Sequence, residues 1–412
     1  MSAKLSAKRK TTVGVIFGGR SVEHDVSIVT GNQVMQAFDP DQYDVVPIYI
    51  SRDGKWYTGA PLTNIKNYQD EIISYKGVVS AILSPSVQHH GLIVNPVSGR
   101  LHKSEIKRLD VIFPAIHGSH GEDGTLQGLA EMADIPYVGC GVLGSALAND
   151  KAMVKDLLRQ KGIPVLEDVV FTRGEWLDDR EAILAQINHT LNYPLFVKPA
   201  TLGSSIGVAR VDTPTMLSIS IDIAASFDRR IIVEPAITGG VEINCAVMGY
   251  GRAMTASVLE QPISWEEFLT YEEKYLRGGG GMKGAERLIP APVSELAATR
   301  IQQYAIAAFR AIDGRGTARI DFLVCGHKEE DPDKMEIYLN EINTMPGSLA
   351  FYLWQALDLS PRAVVEKLVK LAQDAFADKR RNTYNYQTSL IEVTAARGLK
   401  GAKGATDPNT TN

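Results

Sequence analysis

A polar stretch at residues 317–347 constrains the fold of this chain more than any other feature. It reads TARIDFLVCGHKEEDPDKMEIYLNEINTMPG and predicts two strands joined by a polar hairpin. Because successive side chains of a strand point to opposite faces, Arg319 and Asp321 should share one face. On the return strand the same rule gives one shared face to Ile337, Leu339, Glu341 and Asn343. If the two strands are neighbours, carboxylates, a carboxamide and a guanidinium meet at one end of a sheet.

Such a cluster has two explanations. Buried carboxylates require compensating charge, and carboxylate and amide oxygens are ligands that suit magnesium. The alternative is a hairpin with a solvated polar face and an Arg–Asp ion pair. The metal site is favoured because two aliphatic residues, Ile337 and Leu339, lead directly into Glu341 and Asn343.

Composition narrows the class of protein. A length of 412 residues predicts two to four domains. A hydrophobic content of 44% and a net charge of -5 are typical of soluble globular chains. They give no electrostatic reason to expect nucleic acid or a membrane as a partner. The three scattered cysteines lack metal-ligand spacing, so they predict reduced thiols and a cytoplasmic location.

The start of the chain predicts a parallel α/β unit. An apolar strand at 13–17 leads through Gly18 and Gly19 into a helix at 27–38 and a strand at 43–49. Ligands bind at the carboxyl ends of such strands. Residues 52–105 are interpreted as an elaboration of this first domain. Further on, a strand at 109–115 runs into IHGSHGEDGT, a glycine-rich loop of the kind that lets backbone approach a ligand.

The middle of the chain contains a candidate phosphate site. A helix is predicted at 145–161, with Lys151 near a domain junction, and short strands at 136–138 and 193–199. The latter strand ends in Lys198 and continues into a loop of small residues. Lysine and free backbone N–H groups suit a polyphosphate, although a plain hairpin is an equal alternative.

The remaining segments complete the pattern. A strand at 230–234 ends in Glu234, and the glycine run at 278–281 indicates either a mobile lid or a surface loop without a role. An amphipathic helix is predicted at 293–312 and the last helix at 360–381.

Six segments, taken in order, are similar to those of D-alanine–D-alanine ligases of the ATP-grasp superfamily. They are GGRSVEHDVS, IHGSHGEDGTLQG, FVKPATLGSSIGV, YEEKY, TARIDF and NEINTMPG. The resemblance spans about residues 13–379. It implies an α/β and α+β fold, with an N-terminal parallel doubly wound domain followed by a two-lobed ATP-grasp fold. The implied domains are 12–144, 145–234 and 235–382, with flexible tails at 1–11 and 383–412.

The resemblance also implies an activity. Those enzymes use ATP to phosphorylate the carboxylate of one D-alanine, and the amine of a second D-alanine then displaces phosphate. The product, D-alanyl-D-alanine, is used for peptidoglycan synthesis. Relatives are commonly homodimers.

One set of residues resembles those that hold and activate the amino-acid substrates. Its members are Glu23, His117, Ser204, Tyr275, Arg319 and Gly347, all of them except His117 implied to be catalytic. Glu23 resembles the residue that holds the ammonium of the first D-alanine, and Ser204 and Tyr275 resemble its hydrogen-bonded partners. Arg319 and the Gly347 backbone N–H would stabilise the oxyanion of the tetrahedral intermediate.

A second set is implied to bind ATP and metal. The ATP set is Lys151, Lys198, Ser205, Glu234, Ile237, Glu242 and Lys274. Within it Lys151 and Lys198 would neutralise phosphate charge, and Lys274 would reach the nucleotide. Glu234 and Ile237 would meet the adenine, and Glu242 the ribose. Asp321, Glu341 and Asn343 would hold two Mg²⁺ ions, for which Mn²⁺ can substitute.

The chain departs from the family pattern after Gly347. The commoner pattern has a serine a few residues on, which receives the acceptor's carboxylate, but an ungapped comparison puts Tyr352 there. The acceptor therefore stays open between D-alanine, D-serine, D-lactate or another amino acid, with Tyr275 favouring an amine over D-lactate. A nucleotide-binding protein without catalysis is the alternative from another class.

Overall fold

The computed structural model describes residues 9–95, 104–263, 287–331, 334–384, 386 and 388–397. The chain divides into two compact units, Met1–Ala375 and Phe376–Asn412. In its described residues the first unit contains three β-sheets, each built from strands that are consecutive in the chain. No helix of the described part is both long and apolar enough to cross a membrane.

The first sheet combines a parallel centre with an antiparallel extension. Its strands are β1 (Thr11–Gly18), β2 (Tyr43–Ile50), β3 (Trp56–Thr58), β4 (Val79–Leu83), β5 (Gly91–Val94), β6 (Glu105–Arg108) and β7 (Val111–Pro114). β1 pairs in parallel with β2 and β7, whereas β3 to β6 continue beyond β2 in antiparallel pairing. Within the segment interpreted as an elaboration of the first domain, strands β3 to β6 thus extend the first sheet.

Helices cover both faces of this sheet because β1 is apolar on both sides. The helices are α1 (His24–Ala37) and α2 (Thr125–Ala133). Val13, Val15 and Phe17 pack in one core with Val34 of α1, while Ile16 packs in another with Leu126 of α2. The predicted strand at 136–138 is wrong, since a single parallel bridge joins Ile112 to Tyr137.

The predicted helix at 145–161 is two helices. They are α3 (Val142–Asn149) and α4 (Lys151–Gln160). Asp150 breaks the run because its backbone is extended, with φ −95° and ψ 103°, and its side chain accepts hydrogen bonds from the N–H groups of Ala152 and Met153. This N-cap satisfies donors that a helix start leaves open. It also makes Lys151 the first residue of α4.

The second sheet is antiparallel and small. It contains β8 (Val169–Thr172), β9 (Leu195–Pro199), β10 (Ala209–Val211) and β11 (Arg230–Pro235), in the order β10-β9-β11-β8. The helices of this region are α5 (Arg173–Asp178), α6 (Arg180–Thr190) and α7 (Pro214–Phe227). Trp176, Ile187 and Leu217 from these helices pack with Val197 and Ile231 of the sheet. The helices bury these strand residues.

The third sheet carries the polar hairpin. Its strands are β12 (Val241–Tyr250), β13 (Ala253–Pro262), β14 (Arg287–Leu288), β15 (Gly316–Cys325) and β16 (Glu336–Asn343), in the order β14-β13-β12-β15-β16. Helix α8 (Glu295–Ala311) packs Ile301 and Phe309 against Ile320 and Phe322. Side chains such as Arg319 and Asp321 therefore project from the opposite face of β15.

One residue changes the face assignment on the return strand. The register passes from Asp321↔Glu341 to Phe322↔Leu339, so Asn340 is an extra residue in β16. Such a β-bulge shifts the alternation of side chains. Leu339 is therefore buried in the core with Ile337 and Ile342, whereas Glu341 and Asn343 lie on the polar face. The prediction that all four residues share a face is wrong.

The C-terminal part of the described residues contains three further helices. They are α9 (Phe351–Gln355), α10 (Pro361–Lys379) and α11 (Leu390–Arg397). Val365 and Leu368 of α10 are buried in the same core as Phe17 of β1. The last helix, predicted at 360–381, is confirmed as α10, within two residues at each end. Helix α11 lies inside the segment predicted to be a flexible tail, so that part of the prediction is wrong.

Candidate active site

The polar face of the hairpin holds a tight set of charged groups. Arg319 donates two hydrogen bonds to Asp321, Nε to Oδ1 and Nη2 to Oδ2, both at 2.6 Å. Asn343 Nδ2 donates to Asp321 Oδ2 at 2.9 Å and lies 3.5 Å from Glu341 Oε1. Burial, together with the Glu341 and Glu242 carboxylates, raises the pKa of Asp321 to about 7, although the Arg319 guanidinium acts in the opposite direction.

The crowding of carboxylates around Asp321 is consistent with the predicted metal ligands Asp321, Glu341 and Asn343. A divalent cation beside Asp321 and Glu341 would favour their ionised forms and reverse the upward pKa shift. Within the described residues no group of three or more His, Cys, Asp or Glu side chains could hold a metal ion. The amide group of Asn343 lies beside both acids, through its Nδ2 atom.

A second cluster joins the first loop to the small-residue loop. The Ser204 hydroxyl donates to Glu23 Oε1, although the two residues are 181 positions apart. Ser204 and Ser205 both have left-handed backbone, with φ of 54° and 59°, a strained conformation typical of functional loops. Gly118 has φ +71°, and a Cβ there would lie 2.6 Å from Glu23 Oε2. Glycine at 118 therefore leaves room for the Glu23 carboxylate.

His117 is buried between helix α1 and the hairpin end. Its Nε2 lies 2.8 Å from Thr30 Oγ1, and its backbone N–H donates to Ser27 Oγ at 2.9 Å. Thr30 Oγ1 also lies 3.4 Å from the Ser348 backbone N–H. Burial lowers the pKa of His117 to about 4. The imidazole is therefore neutral at physiological pH.

This shift predicts an acid-sensitive contribution to stability. Because the folded-state pKa lies below the usual 6.5, the unfolded chain binds more protons, and stability is lost as pH falls below 6.5. The wild-type protein should lose about 2 kcal/mol of unfolding free energy from this group between pH 7 and pH 5. Urea unfolding of His117→Gln should show a pH dependence smaller by that amount.

The control is His189→Gln, which removes an exposed histidine of α6. It should retain the wild-type pH dependence. An unchanged pH dependence in His117→Gln would contradict the assignment of a neutral, buried His117.

Glu122 is a site residue to which the sequence assigned no role. Its carboxyl accepts hydrogen bonds from the Gly118 N–H at 2.8 Å and the Met345 N–H at 2.9 Å. Burial and the nearby Glu23 carboxylate raise the pKa of Glu122 to about 8. Through these two hydrogen bonds, Glu122 connects the first glycine-rich loop to the segment after β16. The GEDG run marked an acidic loop, but nothing in it indicated a partner more than 200 residues away.

A second group of residues surrounds a pocket between the second and third sheets. Lys151 Nζ donates to the Leu202 carbonyl at 2.7 Å and lies 3.7 Å from Glu341 Oε2. Lys198 Nζ lies 3.4 Å from Asn340 Oδ1. The bulge residue thus contacts the lysine at the end of β9, and the pocket acquires two cations facing acidic and amide groups.

Glu234 is held between two lysines. Lys155 and Lys198 both donate to its carboxylate, which is 2% exposed. Burial alone would raise its pKa, but the two ammonium groups lower the pKa of Glu234 to about 2. Lys155 was missed in the sequence, where only its position one helical turn after Lys151 indicated a shared helix face.

Two adjoining pockets collect the predicted residues. The first is lined by Glu23, His117, Ser204, Arg319, Glu341, Asn343 and Gly347, and the second by Lys151, Lys198, Ser204, Ser205, Glu234, Ile237, Glu242 and Glu341. Glu242 also lines the first. Asp321 lies beneath them, bonded to Arg319 and Asn343. Lys274 and Tyr275 lie outside the described residues, as does the predicted glycine lid.

The chain is similar to known proteins over most of its length. Residues 12–140 match a family described as D-ala D-ala ligase N-terminus, and residues 157–370 match D-ala D-ala ligase C-terminus. A D-alanine–D-alanine ligase from Ruminiclostridium cellulolyticum is 40% identical over 384 residues, covering 91% of this chain and 99% of that protein. One from Geobacillus thermodenitrificans is 39% identical, covering 92% and 100%.

Solved structures give the same fold. The VanG D-Ala:D-Ser ligase from Enterococcus faecalis has a TM-score of 0.73 at 31% identity and covers 88% of this chain and 100% of that chain. The D-alanine–D-alanine ligase from Coxiella burnetii has a TM-score of 0.73 at 28% identity, covering 94% and 99%.

Proposed function

The chain belongs to the D-alanine–D-alanine ligase family, and on that premise we infer that it uses ATP to join two D-alanines for peptidoglycan synthesis. Its fold is that of the ATP-grasp ligases in the family. The observation that carries this function is the junction of the two pockets at Ser204, Glu242 and Glu341. A phosphoryl group held in one pocket can meet a carboxylate held in the other.

The chemistry requires two transfers at that junction. A carboxylate oxygen of the first D-alanine attacks the γ-phosphorus of ATP, which releases ADP and leaves D-alanyl phosphate. The amine of the second D-alanine then attacks the acyl carbon, loses a proton and displaces inorganic phosphate. Activation is needed because a carboxylate oxygen is a poor leaving group until it is phosphorylated, and the phosphoryl transfer depends on positioning and charge neutralisation.

We propose that the second pocket binds ATP. Lys151 and Lys198 neutralise its phosphates, aided by the backbone of the loop at Ser205. Glu234 and Ile237 line the site of the adenine, and the Glu234 carboxylate orients Lys198. Glu242 binds the ribose. The support for these roles is that all six residues line one pocket.

Metal would be held on the polar face of the hairpin. Asp321, Glu341 and Asn343 are proposed to bind two Mg²⁺ ions, which Mn²⁺ can replace. When bound, these ions neutralise phosphate charge and stabilise the transferring phosphoryl group. The proposal is supported by the crowding of Asp321 with acidic neighbours.

The first pocket would bind the first D-alanine. We propose that the Glu23 carboxylate accepts hydrogen bonds from the ammonium group of this D-alanine, and that Ser204 orients the carboxylate. Neutral His117 packs beside this substrate. Arg319 and the Gly347 N–H stabilise the oxyanion formed when the amine attacks.

Some proposals rest on sequence alone. Tyr275 and Lys274 would complete the closed site, from a lid that keeps water away from the acyl phosphate. The chain would act as a cytoplasmic homodimer with no nucleic-acid or membrane partner. The proposed domains are 12–144, 145–234 and 235–382, and most of one of the three sheets lies in each of them.

Purified protein tests the function directly. With ATP, Mg²⁺ and D-alanine, it should release phosphate and form D-alanyl-D-alanine in equal amounts, as read by a phosphate assay and product mass. L-Alanine should give neither. Absence of phosphate release with every D-amino acid offered would refute the ligase function.

A further inference from the structure

The backbone changes hand directly after Gly347, the residue whose N–H is proposed to stabilise the oxyanion. Ser348, Leu349 and Ala350 all lie in the left-handed region, with φ of 50°, 51° and 50°. A run of L-residues there is disfavoured because each Cβ comes too close to the following carbonyl oxygen. Leu349 and Ala350 are fully buried in the core that they share with strand β1. Tertiary contacts therefore hold residues 345–350, which we call the oxyanion turn, in a conformation that the backbone alone disfavours.

Hydrogen bonds to the first glycine-rich loop hold the start of the oxyanion turn. The Met345 N–H donates to Glu122 Oε1 at 2.9 Å, while Glu122 Oε2 accepts from the Gly118 N–H at 2.8 Å. Burial lowers the pKa of His117, but a hydrogen bond to the Met345 backbone acts in the opposite direction. This partner is the Met345 carbonyl, because an acceptor favours the protonated ring. Both backbone groups of Met345 are thus bonded to side chains of the loop.

Thr30 of helix α1 holds the turn on the other side of Gly347. Its Oγ1 accepts from the Ser348 N–H at 3.4 Å and lies 2.8 Å from His117 Nε2. Because the other nitrogen of the neutral imidazole donates to a carbonyl, Nε2 is an acceptor and the Thr30 hydroxyl donates to it. Through these two side chains, Met345 and Ser348 are joined by a continuous chain of hydrogen bonds that spans Gly347.

We propose that Glu122 and Thr30 are positioning residues that aim the Gly347 N–H at the oxyanion of the tetrahedral intermediate. This rests on the proposed ligase function and adds two residues to its machinery. A backbone N–H stabilises an oxyanion only when it points to the place where negative charge develops. A left-handed turn relaxes when it is released, and a displacement of about 1 Å can cost roughly 100-fold in rate. Hydrogen bonds on both sides of Gly347 prevent this displacement.

A phosphinic acid analogue of D-alanyl-D-alanine reports on the direction of this N–H. Its tetrahedral phosphorus carries an oxygen where the oxyanion forms, so it binds through the groups that stabilise the intermediate. Its Kd is measured by calorimetry in the presence of ADP and Mg²⁺, so that no phosphoryl transfer occurs. The Kd of ADP alone and the kcat/KM for dipeptide formation are measured on the same variants.

Glu122→Gln removes one of the two acceptors that hold the loop and the turn together. Each oxygen of a carboxyl group can accept a hydrogen bond, whereas an amide offers one oxygen. The kcat/KM for dipeptide formation and the affinity for the analogue should both fall roughly 100-fold, as for a small displacement of a catalytic group. The Kd of ADP should stay within about threefold of wild type, because the lost interaction belongs to the transition state.

The two variants at position 30 test the hydroxyl on the other side of Gly347. Thr30→Val keeps the shape but loses the hydroxyl, so kcat/KM and analogue affinity should both fall about tenfold. Thr30→Ser retains the hydroxyl, so both quantities should stay within about threefold of wild type.

The matched controls make the same substitutions at hydrogen-bonded residues away from the oxyanion turn. Glu175 Oε2 accepts from the Thr172 N–H at 2.7 Å, and the Thr58 hydroxyl donates to the Pro47 carbonyl at 2.7 Å. Neither residue is among the described residues that line the first pocket. Glu175→Gln and Thr58→Val should therefore keep the wild-type kcat/KM and the wild-type affinity for the analogue.

The outcomes separate the proposal from its premise. Unchanged analogue affinity in Glu122→Gln or in Thr30→Val would overturn the proposal, and so would an equal loss of ADP affinity, which would show general disruption. If Glu122→Gln does not fold, the comparison of Thr30→Val with Thr30→Ser decides by the same criteria. A wild-type protein that neither forms dipeptide nor binds the analogue would overturn the ligase function itself.

Discussion

Glu341→Gln should reduce dipeptide formation roughly 1000-fold or more while leaving the fold intact, a loss in the range seen when charge stabilisation of a transition state is removed. The substitution preserves size but removes the charge that lies 3.7 Å from Lys151 and beside Asn343. Glu341 lines both pockets, so its loss should affect phosphoryl transfer itself. Turnover should be measured at saturating ATP across a series of Mg²⁺ concentrations.

The matched control is Glu336→Gln, an exposed glutamate on the same strand. It should keep wild-type turnover and the wild-type dependence on Mg²⁺. If Glu341→Gln retains turnover within tenfold of this control, the metal assignment on the hairpin is refuted.

Glu234→Gln should destabilise the protein by roughly 3–5 kcal/mol, because it leaves buried ammonium groups without their counter-ion. Lys155 is 1% exposed and donates to Glu234. Urea unfolding at pH 7 measures the loss. ATP binding should weaken too, since Lys198 loses the carboxylate that orients it.

The ion pairs of Glu234 also predict a pH range over which the stability of the protein changes. The pKa of Glu234 is lowered to about 2 in the folded state, so its stabilising contribution is present above the unfolded-state pKa near 4.5. It is lost as pH falls from there towards 2. Glu234→Gln should lack this acid-dependent part.

A compensating substitution distinguishes this cause from a cavity or a local misfold. Lys155→Met in the Glu234→Gln background removes one unpaired charge and replaces it with an apolar side chain of similar length. At least half of the lost unfolding free energy should return. No recovery would show that the loss has another origin than the buried Lys155 charge.

Much of the fold follows from local patterns in the sequence. The strand, Gly-Gly turn and helix at the start appear as β1 and α1 because apolar β-branched runs and helical spacing act over a few residues. The hairpin at 317–347 is also confirmed as β15 and β16. Its site partners were identified from residue type and order, supported by resemblance to a known family.

Features that the hydrophobic pattern does not record were not predicted. Asn340 shifts the face of β16, and a one-residue insertion leaves no trace in a hydrophobic pattern. Asp150 splits a predicted helix because its side chain caps the second half. Glu122 and Lys155 acquire their roles from partners 223 and 79 residues away. Short-range periodicity carries no information about such contacts.

The polar face of the hairpin is proposed to support transfer of the γ-phosphoryl group of ATP to a substrate carboxylate. D-Alanine labelled with ¹⁸O in both carboxylate oxygens, ATP and Mg²⁺ test it most directly, with mass spectrometry of the released phosphate. The mechanism predicts one ¹⁸O atom in each phosphate released, because the bridging oxygen of D-alanyl phosphate leaves with phosphorus. Dipeptide formation accompanied by unlabelled phosphate would contradict it.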